Sequence, residues 1–138
     1  MLKGSGAVIQ FPQLQAAARL GAAITQNVWS VVLDTTKNVD VYSIIFAQDT
    51  VQEDLEVRIT DDVGAETLTQ TAVAGTPYFI RRNSDCSSSS RYHVTATFAE
   101  LSNSLFLISS RTMKIEIRKT TAAGANPTRL KALYQKTL

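Results

Sequence analysis

Cysteine and histidine are nearly absent: one of each, Cys86 and His93, in 138 residues. A single thiol forms no intrachain disulfide, and a reducing compartment is the expected setting. The same scarcity excludes ordinary zinc sites, which take four nitrogen or sulfur ligands, or three plus an open position. One pairing remains for thiol chemistry, Cys86 with His93, with Asp85 beside the thiol. A thiol nucleophile needs a base within hydrogen-bond reach and a third group to orient it. Cys86 lies in the serine-rich loop Asn83 to Ser90, and His93 lies on the wet face of a strand. A Cys–His enzyme is therefore not expected.

Long apolar runs are also missing. No stretch approaches the ~18 residues a membrane span requires. Gly4, Ser5 and Gly6 interrupt residues 1–9, so no secretory leader is expected either. No excess of one charge exists: 14 Lys+Arg stand against 12 Asp+Glu, for a net +2. General nucleic-acid binders carry a strong basic surplus, and this chain is not expected to be one. Neither GxGxxG nor GxxxxGK[ST] occurs, so a nucleotide cofactor has no support.

What is present is alternation. Leu55, Val57 and Ile59 alternate with Glu56, Arg58 and Thr60. Met113, Ile115 and Ile117 alternate with Lys114, Glu116 and Arg118. Tyr92, Val94, Ala96 and Phe98 alternate with Arg91, His93, Thr95 and Thr97. Period two means strands with one buried and one wet face. Three further runs, Val28–Leu33, Val39–Ala47 and Leu105–Ile108, read as apolar on both faces. Such strands are expected centrally, under a covering segment or in a subunit interface. Turn chemistry separates the strands: Thr35–Asn38 as a hairpin loop, Asp61–Gly64 as a second, Ala74–Pro77, Asn83–Ser90 and Ala122–Pro127. Arg129–Lys136 fits either a helix capped by Asn126 and Pro127, or a strand pairing back on Met113–Lys119. The strand is preferred, because it would cover an open edge. At 44% hydrophobic composition, the chain can build one core.

The expected fold is an all-β, antiparallel sandwich, jelly-roll-like, over residues 25–138, preceded by an arm or short helix over residues 1–24. Gln13–Ile24 places Leu14, Ala18 and Gly21 at helical spacing. That segment packs on its own domain, reaches a neighbouring subunit, or is disordered.

Charge is uneven along the chain. Residues 1–33 hold Lys3 and Arg19 and no acid; residues 34–66 hold nine acids and two bases; residues 67–138 hold ten bases and three acids. Strand pairing mixes these blocks in space, or the molecule is polarised toward a neighbour; mixing is the simpler expectation. Calcium wants six to eight converging oxygens. Asp49, Glu53 and Asp54 are separated from Asp61 and Asp62 by a whole strand, so solvated loop ends are the plainer reading. Glu56 and Glu116 could pose as a glycosidase pair, but any β-protein offers such pairs. No catalytic, cofactor or metal residue is assigned.

Trp29, Tyr42, Phe46, Phe98 and Phe106 fall in strands, where core packing is the plain role. Tyr78 and Tyr92 flank the Asn83–Ser90 loop together with Arg81, Arg82 and Arg91, and make a candidate partner or glycan loop. Phe11, Leu14, Leu20, Tyr42 and Phe46 are the candidate subunit contacts.

Three features together resemble the small β-sandwich structural proteins of tailed bacteriophages. They are the acid-free Ala7–Ile24 arm, the hairpins Val39–Ala47 and Leu55–Thr60, and the closing run Met113–Gly124. The resemblance implies a capsid decoration, cement or connector protein without enzymatic activity. It further implies a homo-oligomer bound to other virion subunits, located in the virion after assembly in the host cytoplasm. Neither nucleic acid nor membrane is an expected partner. The alternative is a carbohydrate-binding module of a host-attachment apparatus.

Overall fold

Leu55, Val57 and Ile59 are at most 1% exposed, as are Met113, Ile115 and Ile117. These two alternating strands pair with each other and form the middle of a sheet. The computed structural model describes residues 16–83, 89–96, 108–121 and 126–136. Ten strands run through them: β1 (Ala16–Ala22), β2 (Ser30–Thr35), β3 (Val39–Gln48), β4 (Glu53–Thr60), β5 (Ala65–Ala72), β6 (Tyr78–Arg82), β7 (Tyr92–Thr95), β8 (Ile108–Ser110), β9 (Met113–Lys119) and β10 (Thr128–Lys136). They form two antiparallel sheets, a four-stranded one ordered β2-β9-β4-β5 and a six-stranded one ordered β1-β10-β3-β6-β7. In the second sheet β10 pairs with the whole length of β3, while β6 and β8 share the opposite edge of β3. The fold is an all-β sandwich, and Phe46, Ile44, Ile80, Leu130 and Ala132 of one sheet face Leu33, Leu55, Val57, Ile59 and Ile115 of the other in a single core.

Two runs expected to be apolar on both faces are buried on one. The β3–β10 register skips Tyr42: Leu133 faces Ser43, and Tyr134 faces Val41. This bulge adds one residue and reverses the phase of alternation. Val39 and Val41 therefore point into the same core as Ile44 and Phe46. A second bulge skips Val32 between Leu33 and Val31, opposite Ile115 and Glu116. Leu33 is buried, and Val31 is left 50% exposed. Of the third run, Leu105–Leu107 lies outside the described residues, as do Phe11, Leu14, Phe98 and Phe106; Ile108 begins β8 and is buried.

Connections differ from expectation in three places. Thr35–Asn38 is not a hairpin loop, because β2 and β3 lie in different sheets. Arg129–Lys136 is a strand, but it does not pair with β9. Both edges of β9 are already taken, by β2 and β4, so β10 joins β1 and β3 instead. Residues 16–22 are a strand, not a helix. Their backbone groups are satisfied along β10, and Ala18 and Leu20 pack on the core; so short a helix would not hold alone. Asp61–Gly64 does close a hairpin, between β4 and β5. There Gly64 has φ +154°, a conformation rarely open to a side-chain-bearing residue.

Tertiary pairing mixes the charge blocks. Asp49, Glu53, Glu56, Asp61, Asp62 and Glu66 meet Arg129, Lys119, Arg118, Arg91 and Arg111. Six of the nine acids of the middle third are thus paired with bases from the last third.

Candidate functional site

Three polar regions and one exposed sheet face are candidates. The first is the seam where β3, β4, β9 and β10 end together. Lys119 is fully buried, and its Nζ lies 3.0 Å from Glu53 Oε2. Gln48 and Thr121 also donate to Glu53, Thr128 donates to Gln48, and Asn126 ties the seam to Thr50 and Val51. Burial pushes the Glu53 carboxyl up, but the Thr121 and Lys119 hydrogen bonds and the Lys119 charge outweigh it and hold it below its ordinary value. With its bonding capacity spent inward, this cluster locks the sheets together and offers nothing to a ligand.

The second lies at the β4–β5 turn. Asp61 accepts hydrogen bonds from the backbone of Val63 and Gly64 and from Arg91 Nη1 at 2.6 Å. Glu66 accepts from the Arg91 and Tyr92 backbone. Burial raises Asp61, yet the Arg91 and backbone bonds leave it below the usual carboxylate range. Tyr92 is pushed up to about 12, mainly by burial. A groove of about 480 Å³ here brings Arg82, Arg91 and Tyr92 together. Tyr78 and Arg81 are not with them. Tyr78 packs in the core against Phe46, and Arg81, on the other face of β6, is half-buried with its Nε enclosed.

Tyr78 and Tyr92 are 6% and 4% exposed. Neither gives a sugar a platform, so the aromatic support for glycan binding falls away. Their rings complete the core on the flank of β6 and β7. Phe46, expected at a subunit contact, is 2% exposed. The Tyr42 bulge sets it inward.

The third region is the outer face of the four-stranded sheet, which neutralises itself. Arg58 binds Glu116 through two bonds of 2.9 and 3.1 Å, Lys114 approaches the same carboxylate, and Arg118 binds Glu56. Glu56 and Glu116 are thus each held in ion pairs. Trp29 lies against the guanidinium groups of Arg58 and Arg118, 4.1 and 4.5 Å from its ring centre.

The outer face of the six-stranded sheet is different. Strand register sets its rows: Gly21–Arg129–Ala47, then Arg19–Lys131–Ile45, then Ala17–Leu133–Ser43. Arg19 and Lys131 stand directly opposite each other. Among the described residues no acid lies within ion-pair distance of either. Like charges so placed repel. Arg129 is neutralised by a two-bond pair with Asp49, whose carboxyl it holds below its ordinary value. Around these bases runs a mainly apolar groove of about 540 Å³, lined by Leu20, Gly21, Ile45 and Ala47 among others. Tyr42, also outward, donates from its hydroxyl to Gln135.

Of the expected contact residues, Leu20 lines this groove, Tyr42 is half-buried near it and Phe46 supplies its inner wall. Arg19, Arg129 and Lys131 were missed. Their signal was present, since Ala17, Arg19 and Gly21 alternate as a strand does, but helical spacing was read there first. Among the described residues, no group of His, Cys, Asp or Glu could hold a metal ion, and no helix is long and apolar enough to cross a membrane. No protein-family model matches the chain, and no curated protein matches it in sequence.

Proposed function

We propose that this chain is a non-enzymatic structural protein of a virus particle, a decoration, cement or connector subunit that works through contacts with neighbouring subunits. One observation carries the reading. A molecule that pairs its other sheet face and its turns into ion pairs leaves Arg19 and Lys131 opposed over an apolar floor, with no acid among the described residues within ion-pair distance of either. Repulsion of this kind lowers the stability of the lone chain. It is offset when an interface supplies counter-charge and covers apolar area, at about 25 cal/mol per Å² before association costs.

The buried Glu53–Lys119 seam supports the same reading, because a subunit that transmits load needs sheets that do not shear. The test is direct. Antibody against the chain is used to probe virus particles purified from cells producing it, after sedimentation through a density gradient. The chain is expected in the particle band at a fixed ratio to the shell protein. Its recovery only in the unsedimented fraction would reject the proposal.

A further inference from the structure

We propose that β1 receives an acidic, extended segment of a different protein as an added strand, with a carboxylate placed beside Arg19 and Lys131. This deepens the structural-subunit reading and rests on it for the existence of a neighbour.

The first support is the edge. On one side β1 pairs with β10 over its full length, and among the described residues it ends its sheet on the other. Five of its seven residues are exposed, and none is proline or lysine. Open edges are ordinarily blunted by such residues or covered. This one offers about 23 Å of backbone at ~3.3 Å per residue, blunted only by Arg19, its other side chains being alanine, glycine and Leu20.

The second support is charge. An acidic side chain on the outer face of an added strand, level with Arg19, reaches that guanidinium and the Lys131 ammonium next to it. Two residues along, the same face of the added strand lies level with Gly21, beside which the Arg129 guanidinium lies. Arg129 is engaged by Asp49, so the two cations with no acid beside them among the described residues specify one row.

Other occupants fit less well. Antiparallel self-pairing centred on Arg19, the midpoint of β1, would set two arginines face to face with a lysine beside each. Residues 1–15 contain Lys3 and no acid, so they bring no counter-charge. A nucleic acid would satisfy the cations but not the backbone edge.

The probe is a short fluorescent peptide of alternating glutamate and valine, titrated into the full chain. Its controls are a lysine-for-glutamate twin, an N-methylated version, and a single-stranded oligothymidine. Hydrogen exchange reports the amides of residues 16–22. Expected is saturable binding of the acidic peptide, slowed exchange in β1, and loss of binding with the twin and the N-methylated version. Arg19→Glu and Lys131→Glu should each weaken binding roughly tenfold while the thermal midpoint is kept or raised, since each turns a repulsive cross-strand pair into an attractive one. Lys131→Glu and the N-methylated peptide serve if Arg19→Glu does not fold. Equal binding of the lysine twin, unchanged affinity in both variants, protection confined to other strands, or tighter binding of oligothymidine would each overturn the proposal. Failure here with the chain still present in purified particles removes this strand partner and leaves the structural role standing.

Discussion

Lys119 shows how one residue can be costly alone and cheap in company. Its ammonium is fully buried and meets Glu53 at 3.0 Å, with Gln48 on the same oxygen. Removing the cation leaves a carboxylate 5% exposed with only neutral donors. Lys119→Met is therefore expected to cost about 3–5 kcal/mol in urea denaturation, whereas Lys119→Met with Glu53→Leu should recover most of that loss. A single substitution costing less than about 1 kcal/mol would show that the pair is not the lock described. The sequence marked Glu53 only as one acid among several before a strand. Period two puts Lys119 on the face of Met113, Ile115 and Ile117, but nothing local supplies the carboxylate that lets a lysine be buried there.

At the scale of elements, the bulges matter more than the strands. Val39–Gln48 looked apolar on both faces because strict alternation was assumed, and one extra residue at Tyr42 changes the phase midway. Deleting Tyr42 removes that residue. Val39 and Val41 are then forced to the outer face, or the ladder with β10 is lost. Exposing a valine costs about 1.5–3 kcal/mol, so the deletion should cost at least ~3 kcal/mol in total, read as a lowered thermal midpoint by circular dichroism. Tyr42→Thr keeps the residue count and loses only the bond to Gln135; it should cost about 1 kcal/mol. Equal losses in the two variants would refute the phase-shift account. Regular strands such as β4 and β9 were legible because no bulge intervened in their hydrophobic faces. The strand β1 was not, because alanine, leucine and glycine spacing satisfies a helix equally, and only pairing with β10 decides between them.

At the scale of the molecule, ionisation should produce a broad stability plateau. Glu53, Asp61, Asp49 and Asp62 are all held below their ordinary values, 4.5 for Glu and 3.8 for Asp. A carboxyl lowered on folding contributes stability that is present above its unfolded value and is lost as pH falls through the folded one. Stability should therefore hold above about pH 4.5 and fall below it. Tyr92 is raised from 10.0 to about 12. The folded protein keeps that proton while the unfolded chain releases it, so stability should fall again as pH rises from 10 toward 12. Urea midpoints measured across pH check both limbs. Arg91→Ala should flatten the acid limb, since Arg91 supplies both the leading hydrogen bond and the charge that lower Asp61. An acid limb unchanged in that variant would contradict the assignment.

The sequence alone determined what depends on near neighbours. Period-two alternation made the chain all-β, chose the buried faces of β4 and β9, and put the tight turn at Asp61–Gly64. Only the tertiary structure decided which sheet each strand joins, because an edge already occupied, as on β9, sends the next strand elsewhere. It also set the register slips at Val32 and Tyr42, paired distant acids with distant bases, and left Arg19 beside Lys131. Those outcomes are non-local: they are settled by which backbone edges remain open once the core has closed, and no short window of residues records that.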